Sequence, residues 1–327
     1  MYDIVTFGEA MIRLSPPNFN RLEQAASFDV CAGGGELNVA VAAARMGLKS
    51  AWVSKLPKNP LGRLIRNKAR EWGVGTDFIV WSDEGRAGVY YLEFGAAPRP
   101  SSVLYDRANS AISMIKTREV NWDQVFDGVK VFHVSGITPA LSESAAGVTL
   151  EAVKAAKRKG LKVSYDLNYR VKLWTEEEAQ ACQEPMMEFV DVLISTEEDT
   201  NRVFKITGST YNEVAEKLAD KFKFDVVAIT LRENVSVWKN NWTAIAYSDG
   251  KFYADKTYEV EIVDRVGGGD SFTAGFLTGY LEDGIDRGVK LGNALAALKH
   301  SIPGDLNLST RDEVEALLKK GGLRISR

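Results

Sequence analysis

The chain has 327 residues, which is enough for one large α/β domain with a smaller appendage or for two ordinary domains. Its 44 acidic and 41 basic side chains give a formal net charge of −3 without a basic tail or stripe, so nucleic acid is not an expected partner. With two cysteines and two histidines, a disulfide framework, a zinc site and a Ser-His-Asp triad are all disfavoured.

Short apolar runs of strand length alternate with segments whose apolar residues recur every three or four positions. The predicted strands are Asp3–Phe7, Lys49–Ser54, Lys130–Ser135, Lys162–Asp166, Asp191–Ile194 and Val226–Leu231. The predicted helices between them are Leu37–Met46, Gly62–Trp72, Ser144–Arg158, Glu176–Phe189 and Tyr211–Phe222. Further strands over Asp225–Asp264 precede helices at Gly269–Tyr280, Asp286–His300 and Thr310–Lys320. This alternation predicts a doubly wound α/β fold, in which a parallel sheet has helices on both faces.

One region breaks this alternation. Strand-like segments at Phe78–Trp81, Gly88–Phe94 and Ser102–Tyr105 follow one another with turns and no helix between them. The loop Arg13–Asp29 could add an edge strand to them. We therefore expect a single domain over residues 1–327, with a small sheet built from insertions at about 11–32 and 76–107 that lies as a lid over a cleft.

The most informative stretch is Asp264-Arg-Val-Gly-Gly-Gly-Asp270, where a predicted strand passes through three glycines into an apolar helix. Bare backbone N–H groups at a helix N-terminus form a ready site for a phosphoryl group. Asp270, in the first helical turn, could accept the proton of a hydroxyl that attacks phosphorus. The alternative is a tight turn followed by a favourable acidic residue. A Walker A loop is absent, and Phe272 occupies the third glycine position of a dinucleotide motif.

No apolar run near Met1 has the length of a signal peptide, and no later stretch is long enough to span a bilayer. Cys31 and Cys182 lie in no C-x-x-C arrangement, which fits a reducing compartment. We therefore expect a cytoplasmic protein without a membrane partner.

Two motifs resemble signatures of the ribokinase-like (PfkB) carbohydrate kinases. Residues 264–270 are similar to the D-[TR]-x-G-A-G-D signature, and residues 33–47 to the N-terminal G-G-x-x-x-N element. The resemblance implies a three-layer α/β/α sandwich with a small β-sheet lid, and a reaction that uses ATP and Mg²⁺. It implies a catalytic base and phosphate cradle at Asp270, Gly267, Gly268 and Gly269, and a sugar pocket with Gly34, Gly35 and Asn38.

The same resemblance implies a nucleotide site and a metal contact. The nucleotide-binding residues would be Asn168, Ser195, Thr230, Arg232 and Asn293, together with Gly267 and Gly269. The family's N-x-x-E element reads Ser195-Thr-Glu-Glu198 here, so Glu198 is expected to reach Mg²⁺ through water while the Asn is not matched. The usual alanine of the C-terminal signature is Gly268. A homo-oligomer formed through the lid is compatible with the family.

Within the family, four strings resemble those of 2-keto-3-deoxygluconate kinases: Gly88-Val-Tyr-Tyr-Leu-Glu, Tyr105-Asp-Arg-Ala-Asn-Ser-Ala, His133-Val-Ser-Gly-Ile-Thr-Pro and Asp166-Leu-Asn-Tyr-Arg-Val-Lys-Leu-Trp. An acid substrate needs fixed cations, and the planar fork of arginine suits a carboxylate. We therefore predict that the carboxylate binds Arg107 and Arg170, and that the sugar pocket includes Tyr90, Tyr105 and Ile137.

Several of these residues have a purely structural alternative. Either arginine could be a rim charge beside a carboxylate, and the two tyrosines could be core residues of the small sheet. His133 fits a hydrogen-bonded core histidine better than a site residue. The function has two alternatives to an acid-sugar kinase. One is a kinase for a neutral sugar or a nucleoside, and the other is a sugar-binding regulator without catalysis. Asp270 and its glycines disfavour the regulator, and the arginine pair favours the acid.

Overall fold

The computed structural model describes residues 1–320, which contain two β-sheets and helices on both faces of the larger one. The strands are β1 (Ile4–Phe7), β2 (Met11–Ser15), β3 (Asp29–Gly33), β4 (Ser50–Pro57), β5 (Ile79–Ser82), β6 (Gly88–Glu93), β7 (Ser102–Asp106), β8 (Val131–Ser135), β9 (Lys162–Asp166), β10 (Val192–Ser195), β11 (Val226–Ser236), β12 (Lys239–Ser248), β13 (Lys251–Ala254) and β14 (Tyr258–Glu261). The helices are α1 (Gly35–Arg45), α2 (Pro60–Glu71), α3 (Trp122–Val125), α4 (Glu143–Arg158), α5 (Glu176–Gln183), α6 (Glu197–Phe204), α7 (Tyr211–Phe222), α8 (Gly268–Lys299) and α9 (Arg311–Lys320).

The larger sheet has ten strands in the order β13-β12-β11-β10-β9-β8-β1-β4-β5, with β14 paired to β12 beside this path. From β11 to β5, neighbouring strands are parallel. Successive side chains of a strand point to opposite faces, so Ile4 and Val5 belong to different hydrophobic cores. One core includes Val148 of α4 and the other includes Phe272 of α8. The predicted doubly wound α/β fold is confirmed.

The smaller sheet has four strands in the order β3-β2-β6-β7. The loop Arg13–Asp29 could, by the sequence, add an edge strand, and β3, which begins at Asp29, is an edge strand of this sheet. The number of strands is wrong, because the other end of the loop belongs to a second strand, β2. This strand lies inside the sheet, since it pairs with β3 on one side and with β6 on the other.

The placement of Phe78–Trp81 in the smaller sheet is also wrong. Ile79 pairs in parallel with Ser54, so β5 is the edge strand of the larger sheet. The reason is that β4 continues to Pro57, beyond its predicted end at Ser54, and offers β5 a free edge. Ile79 is buried there in the same hydrophobic core as Leu56.

The two predicted helices at 269–280 and 286–300 are confirmed as the two parts of α8, which is interrupted at Asp283 and Gly284, where Gly284 has the left-handed φ of 81°. Another helical prediction differs from the structure. The helix predicted over 176–189 ends at Gln183 and continues as a 3₁₀ helix. The short helix α6 was not predicted. Each helix within residues 1–320 is too short or too polar to cross a bilayer.

Candidate active site

A cleft of about 920 Å³ opens between the carboxyl ends of the central parallel strands and the smaller sheet. Open α/β sheets form their ligand sites at this edge, because the loops that follow the strands meet there. Nearly all the residues predicted for a site line this one cleft: Gly34, Gly35, Asn38, Tyr90, Tyr105, Arg107, Ile137, Asn168, Arg170, Ser195, Glu198, Thr230, Arg232, Gly267, Gly268, Gly269 and Asp270.

Asn293 is the exception, since it is not among the described residues that line the cleft. It lies within α8 and is fully buried. Neither its amide nitrogen nor its amide oxygen has a hydrogen-bond partner within residues 1–320. This position does not support the predicted contact between Asn293 and a nucleotide.

Asp270 lies in the first turn of α8, where the cleft meets the glycine-rich loop. Its Oδ2 accepts a hydrogen bond from Nδ2 of Asn38 at 2.7 Å, which links the two glycine-rich motifs of the sequence. Burial raises the pKa of Asp270 to about 6, while the Asn38 hydrogen bond and the charge of Arg170 oppose that rise. At neutral pH this carboxylate is therefore largely ionised and basic enough to accept a proton.

The loop before Asp270 requires glycine at its first position. Gly267 has a left-handed φ of 85°, and a Cβ there would lie 2.1 Å from the carbonyl oxygen of Asp305. Around Gly269, by contrast, a Cβ would meet no described atom within 4 Å. The loop thus brings bare backbone to the positive end of a long helix, which is a favourable place for an anion.

Arg107 forms a salt bridge with Glu9, and both side chains are largely buried in the wall of the cleft. Within residues 1–320, Nε of Arg107 and Oε1 of Glu9 are buried atoms without a hydrogen-bond partner. Buried polar atoms are normally paired, so this donor and this acceptor are exceptions in the wall of the cleft. The salt bridge matches the alternative of a charge beside a carboxylate, whereas the position of Arg107 in the cleft wall matches a binding role.

Arg170 is exposed at the cleft, and its Nη1 donates a hydrogen bond to the carbonyl oxygen of Tyr169 at 3.0 Å. Burial raises the pKa of three nearby carboxyl groups, those of Asp166, Asp199 and Asp270. For each of them the positive charge of Arg170 acts in the opposite direction. Arg170 is therefore a shared counter-charge for this acidic group of residues.

Tyr90 and Tyr105 stand opposite each other on β6 and β7, with ring centroids 5.8 Å apart. Tyr90 is almost fully buried against Met11, and its hydroxyl donates to the carboxylate of Asp305. Tyr105 is half-exposed, and the guanidinium of Arg107 lies 5.5 Å from its ring centroid. Tyr90 is thus both a core residue of the smaller sheet and part of the cleft wall.

Ile137 follows β8, whereas His133 lies within it. Ile137 lines the cleft, and its N–H donates to Oγ of Ser135 at 3.2 Å. His133 is buried in the sheet with Nδ1 3.0 Å from Oγ of Ser164, and burial lowers its pKa to about 3. His133 is therefore a neutral core residue.

Four of the predicted nucleotide-binding residues belong to neighbouring strands of the larger sheet: Asn168 follows β9, Ser195 ends β10, and Thr230 and Arg232 lie within β11. Oγ1 of Thr230 is 3.5 Å from the carbonyl oxygen of Ser195, and Asn168 has the left-handed φ of 38°. Within residues 1–320, no group of three or more His, Cys, Asp or Glu side chains is arranged to hold a metal ion. Glu198 and Asp199 do line the cleft together, and one or two carboxylates suffice for Mg²⁺ that is bound mainly by phosphates and water.

Sequence reasoning missed several acidic residues of the cleft: Glu9, Asp166, Asp199 and Asp305. The signal for Glu9 and Asp166 was present, because each stands at or just after the carboxyl end of a predicted parallel strand. Asp199 was missed together with the helix α6. Asp305 lies in the loop after α8, where no local pattern indicates what the chain approaches.

Comparisons with known proteins agree with this geometry. Residues 1–311 match the family described as pfkB family carbohydrate kinase. A 2-dehydro-3-deoxygalactonokinase of Haloferax volcanii is 40% identical over 326 residues, which cover 99% of each chain. The crystal structure of 2-dehydro-3-deoxygluconokinase from Thermotoga maritima has a TM-score of 0.94 at 45% identity and covers 96% of this chain and 97% of that one. An E. coli protein described as ribokinase II, in complex with ATP and Mg²⁺, shares the fold with a TM-score of 0.86 at 18% identity, covering 98% of this chain and 100% of that chain.

Proposed function

Because the chain belongs to the pfkB family of carbohydrate kinases, we propose that it transfers the γ-phosphoryl group of ATP to the terminal hydroxyl of 2-keto-3-deoxygluconate. The product is 2-keto-3-deoxy-6-phosphogluconate. The observation that carries the proposal is the carboxylate of Asp270 at the glycine-rich start of α8, in a cleft that Arg107 and Arg170 also line. Relatives whose names specify 2-dehydro-3-deoxy sugar acids support this class of substrate.

Asp270 is the general base of the proposed reaction. Its carboxylate takes the proton of the terminal hydroxyl as that oxygen forms a bond to the γ-phosphorus and the bond to the leaving ADP breaks. Asn38 holds the carboxylate in place through the 2.7 Å hydrogen bond. With a pKa of about 6, Asp270 is mostly ionised above pH 7.

The glycine-rich loop stabilises the phosphoryl group while it is transferred. Gly267, Gly268 and Gly269 precede or begin α8, so their backbone is available at the positive end of that helix. Charge that develops on the phosphoryl oxygens is stabilised there without rearrangement of side chains.

The acid group of the substrate is recognised at the other wall of the cleft. Arg107 and its salt-bridge partner Glu9 line this wall, where the guanidinium would bind the carboxylate of the substrate. Arg170 adds a second cation close to the base. The smaller sheet contributes Tyr90 and Tyr105 to the same wall, and we propose that it acts as the lid of a single kinase domain.

ATP and Mg²⁺ complete the proposed reaction. Glu198, with Asp199 beside it, would hold the ion through water at the end of β10. Bound there, Mg²⁺ would neutralise negative charge on the phosphates of the nucleotide.

A second candidate substrate is the galactonate epimer, because the Haloferax volcanii relative at 40% identity is a 2-dehydro-3-deoxygalactonokinase. Both epimers carry the carboxylate that the arginines would bind. Neutral sugars remain the alternative of a different class, and they lack the carboxylate that Arg107 and Arg170 would bind.

The test is product identification with purified wild-type protein. ATP, Mg²⁺ and 2-keto-3-deoxygluconate should give ADP and one phosphorylated acid, with phosphorus NMR placing the phosphate on the terminal oxygen. Asp270→Asn is the matched control and should form little product. Phosphate on another hydroxyl, or no product above that control, would contradict the proposal.

A further inference from the structure

A buried cluster of four charged side chains lies between the smaller sheet and the glycine-rich loop. Arg13 on β2 contacts Asp264 at 2.7 Å and Asp305 at 2.9 Å, and none of the three side chains is more than 3% exposed. The fourth member is Lys299 at the end of α8, which is fully buried and donates to the carbonyl oxygen of Ile302 at 2.9 Å. Two positive and two negative groups therefore balance within a buried region beside the cleft.

The carboxylates of this cluster define the position of the loop. Oδ1 of Asp264 accepts a hydrogen bond from the N–H of Val266 at 3.0 Å, and Oδ2 accepts one from the N–H of Gly304 at 2.9 Å. Gly267 packs so closely on the carbonyl oxygen of Asp305 that a Cβ would lie 2.1 Å from it. The segment of Asp264 and the segment of Asp305 both contact the loop, and the guanidinium of Arg13 connects them.

On the side of the smaller sheet, the cluster adjoins the cleft wall that contains Tyr90. Arg13 is directly opposite Tyr90 in the pairing of β2 with β6. The hydroxyl of Tyr90 donates to Asp305, and Tyr90 and Asp305 both line the cleft. Arg13 is not among the described residues that line it, so any effect of Arg13 on a bound molecule passes through its partners.

We propose that Arg13 is a positioning residue that fixes the glycine-rich loop relative to the smaller sheet. When sugar occupies the cleft and engages the smaller sheet, the loop is held where it can receive the phosphoryl group. Arginine suits this role because its planar fork reaches two carboxylates at once, whereas the ammonium of lysine is a single point. The proposal rests on the proposed function for the identity of the sugar, but the positioning of the loop can be measured without substrate.

The first measurement is hydrogen exchange of the substrate-free protein. In Arg13→Met the amides of Val266 and Gly268 should exchange about 10-fold faster or more, because the loop then opens without breaking ion pairs. Arg13→Lys should give an intermediate rate. Lys55→Met is the matched control, since Lys55 is also a buried cation, lies 2.9 Å from Glu119 and is outside the described lining of the cleft. This variant should leave the exchange rates of the Val266 and Gly268 amides unchanged.

All variants are compared well below their melting temperatures, so that global unfolding does not contribute. Should Arg13→Met fail to fold, Arg13→Lys against wild type decides the question. Unchanged exchange at Val266 and Gly268 in a folded Arg13 variant would overturn the proposal, and so would an equal increase in Lys55→Met.

The second measurement is the coupling between the two substrates. The affinity for a non-hydrolysable ATP analogue is measured by calorimetry with and without saturating 2-keto-3-deoxygluconate. In wild type and in Lys55→Met the sugar should tighten nucleotide binding about 5-fold or more, and in Arg13→Met the factor should approach one. Coupling retained in Arg13→Met would overturn the proposal. If wild type does not bind this acid, the proposed function fails, while the exchange rates still decide the role of Arg13.

Discussion

Replacing Asp270 with asparagine separates the basicity of this side chain from its shape. The amide has the size of the carboxylate, and its oxygen can still accept the 2.7 Å hydrogen bond from Asn38. It cannot take the proton of a substrate hydroxyl. We therefore expect kcat of Asp270→Asn to fall by about 10² to 10⁴, the usual contribution of a positioned base, with nearly unchanged substrate affinity.

The same substitution should stabilise the folded protein at neutral pH. Burial raises the pKa of Asp270 from the ordinary 3.8 to about 6, so the folded state disfavours the ionised carboxylate. That difference corresponds to about 3 kcal/mol of unfolding free energy, and to about 1 to 2 kcal/mol once solvent in the cleft screens the charge.

The sign of the pH dependence follows from this raised pKa. Between pH 3.8 and about 6 the folded protein retains a proton that the unfolded chain has lost, so the contribution of Asp270 to stability falls as the pH rises through this window. The neutral side chain of Asp270→Asn causes no such loss of stability. The gain in unfolding free energy over wild type should therefore be nearly complete at pH 8 and smaller at pH 5.

The assay combines denaturant unfolding at pH 5 and pH 8 with turnover across the same range. Wild-type kcat/KM should decrease below about pH 6, where Asp270 of the free protein becomes protonated. Asp286→Asn is the control on the second part of α8, because Asp286 is exposed and its substitution should change stability by less than about 0.5 kcal/mol at either pH. Near-wild-type turnover of Asp270→Asn would refute the assignment of the base, and an advantage no larger at pH 8 than at pH 5 would refute the burial argument.

Four further substitutions, at three positions, test the loop and the arginines. A Cβ at Gly268 would lie 3.0 Å from Cε1 of His300, so Gly268→Ala should keep its turnover after a slight shift of the His300 ring. The larger side chain of Gly268→Val should lower kcat more than sugar affinity. Equal turnover of the two variants would mean that the loop is only a turn. Arg107→Ala should lower kcat/KM for the acid by about 10- to 1000-fold and leave kcat/KM for fructose nearly unchanged. Equal losses for both sugars would indicate that the unpaired carboxylate of Glu9 damages the fold. Arg170→Ala should impair both sugars. It should also move the acidic limb of the kcat/KM profile to higher pH, because the charge of Arg170 lowers the pKa of Asp270 in the free protein. An unmoved limb would contradict this role.

The fold was predictable because its elements are periodic and locally encoded. The strand Lys162–Asp166 and the helix Tyr211–Phe222 have the bounds that their apolar spacing predicts. The sheet to which a strand belongs is not local information, which is why Phe78–Trp81 was placed wrongly. Its alternation is the same in either sheet, and only the free edge of β4 determines the pairing.

The candidate site was predictable to the extent that it lies in contiguous motifs. The glycines before Asp270 and those before Asn38 indicate a backbone that closely approaches a ligand or another chain segment. The contact of Arg13 with Asp305 joins residues 292 positions apart, and no spacing in the sequence reports it. Burial of Asn293 likewise depends on how α8 packs, since an asparagine within a helix has no periodic signal of its own.

The comparison of kcat/KM for 2-keto-3-deoxygluconate, fructose and ribose in the wild-type protein tests the central claim most directly. One charged hydrogen bond is worth about 1.5 to 3 kcal/mol, so recognition of the carboxylate by Arg107 and Arg170 should favour the acid by about 10-fold to more than 100-fold. An equal or higher kcat/KM for fructose or ribose would contradict an acid-sugar kinase.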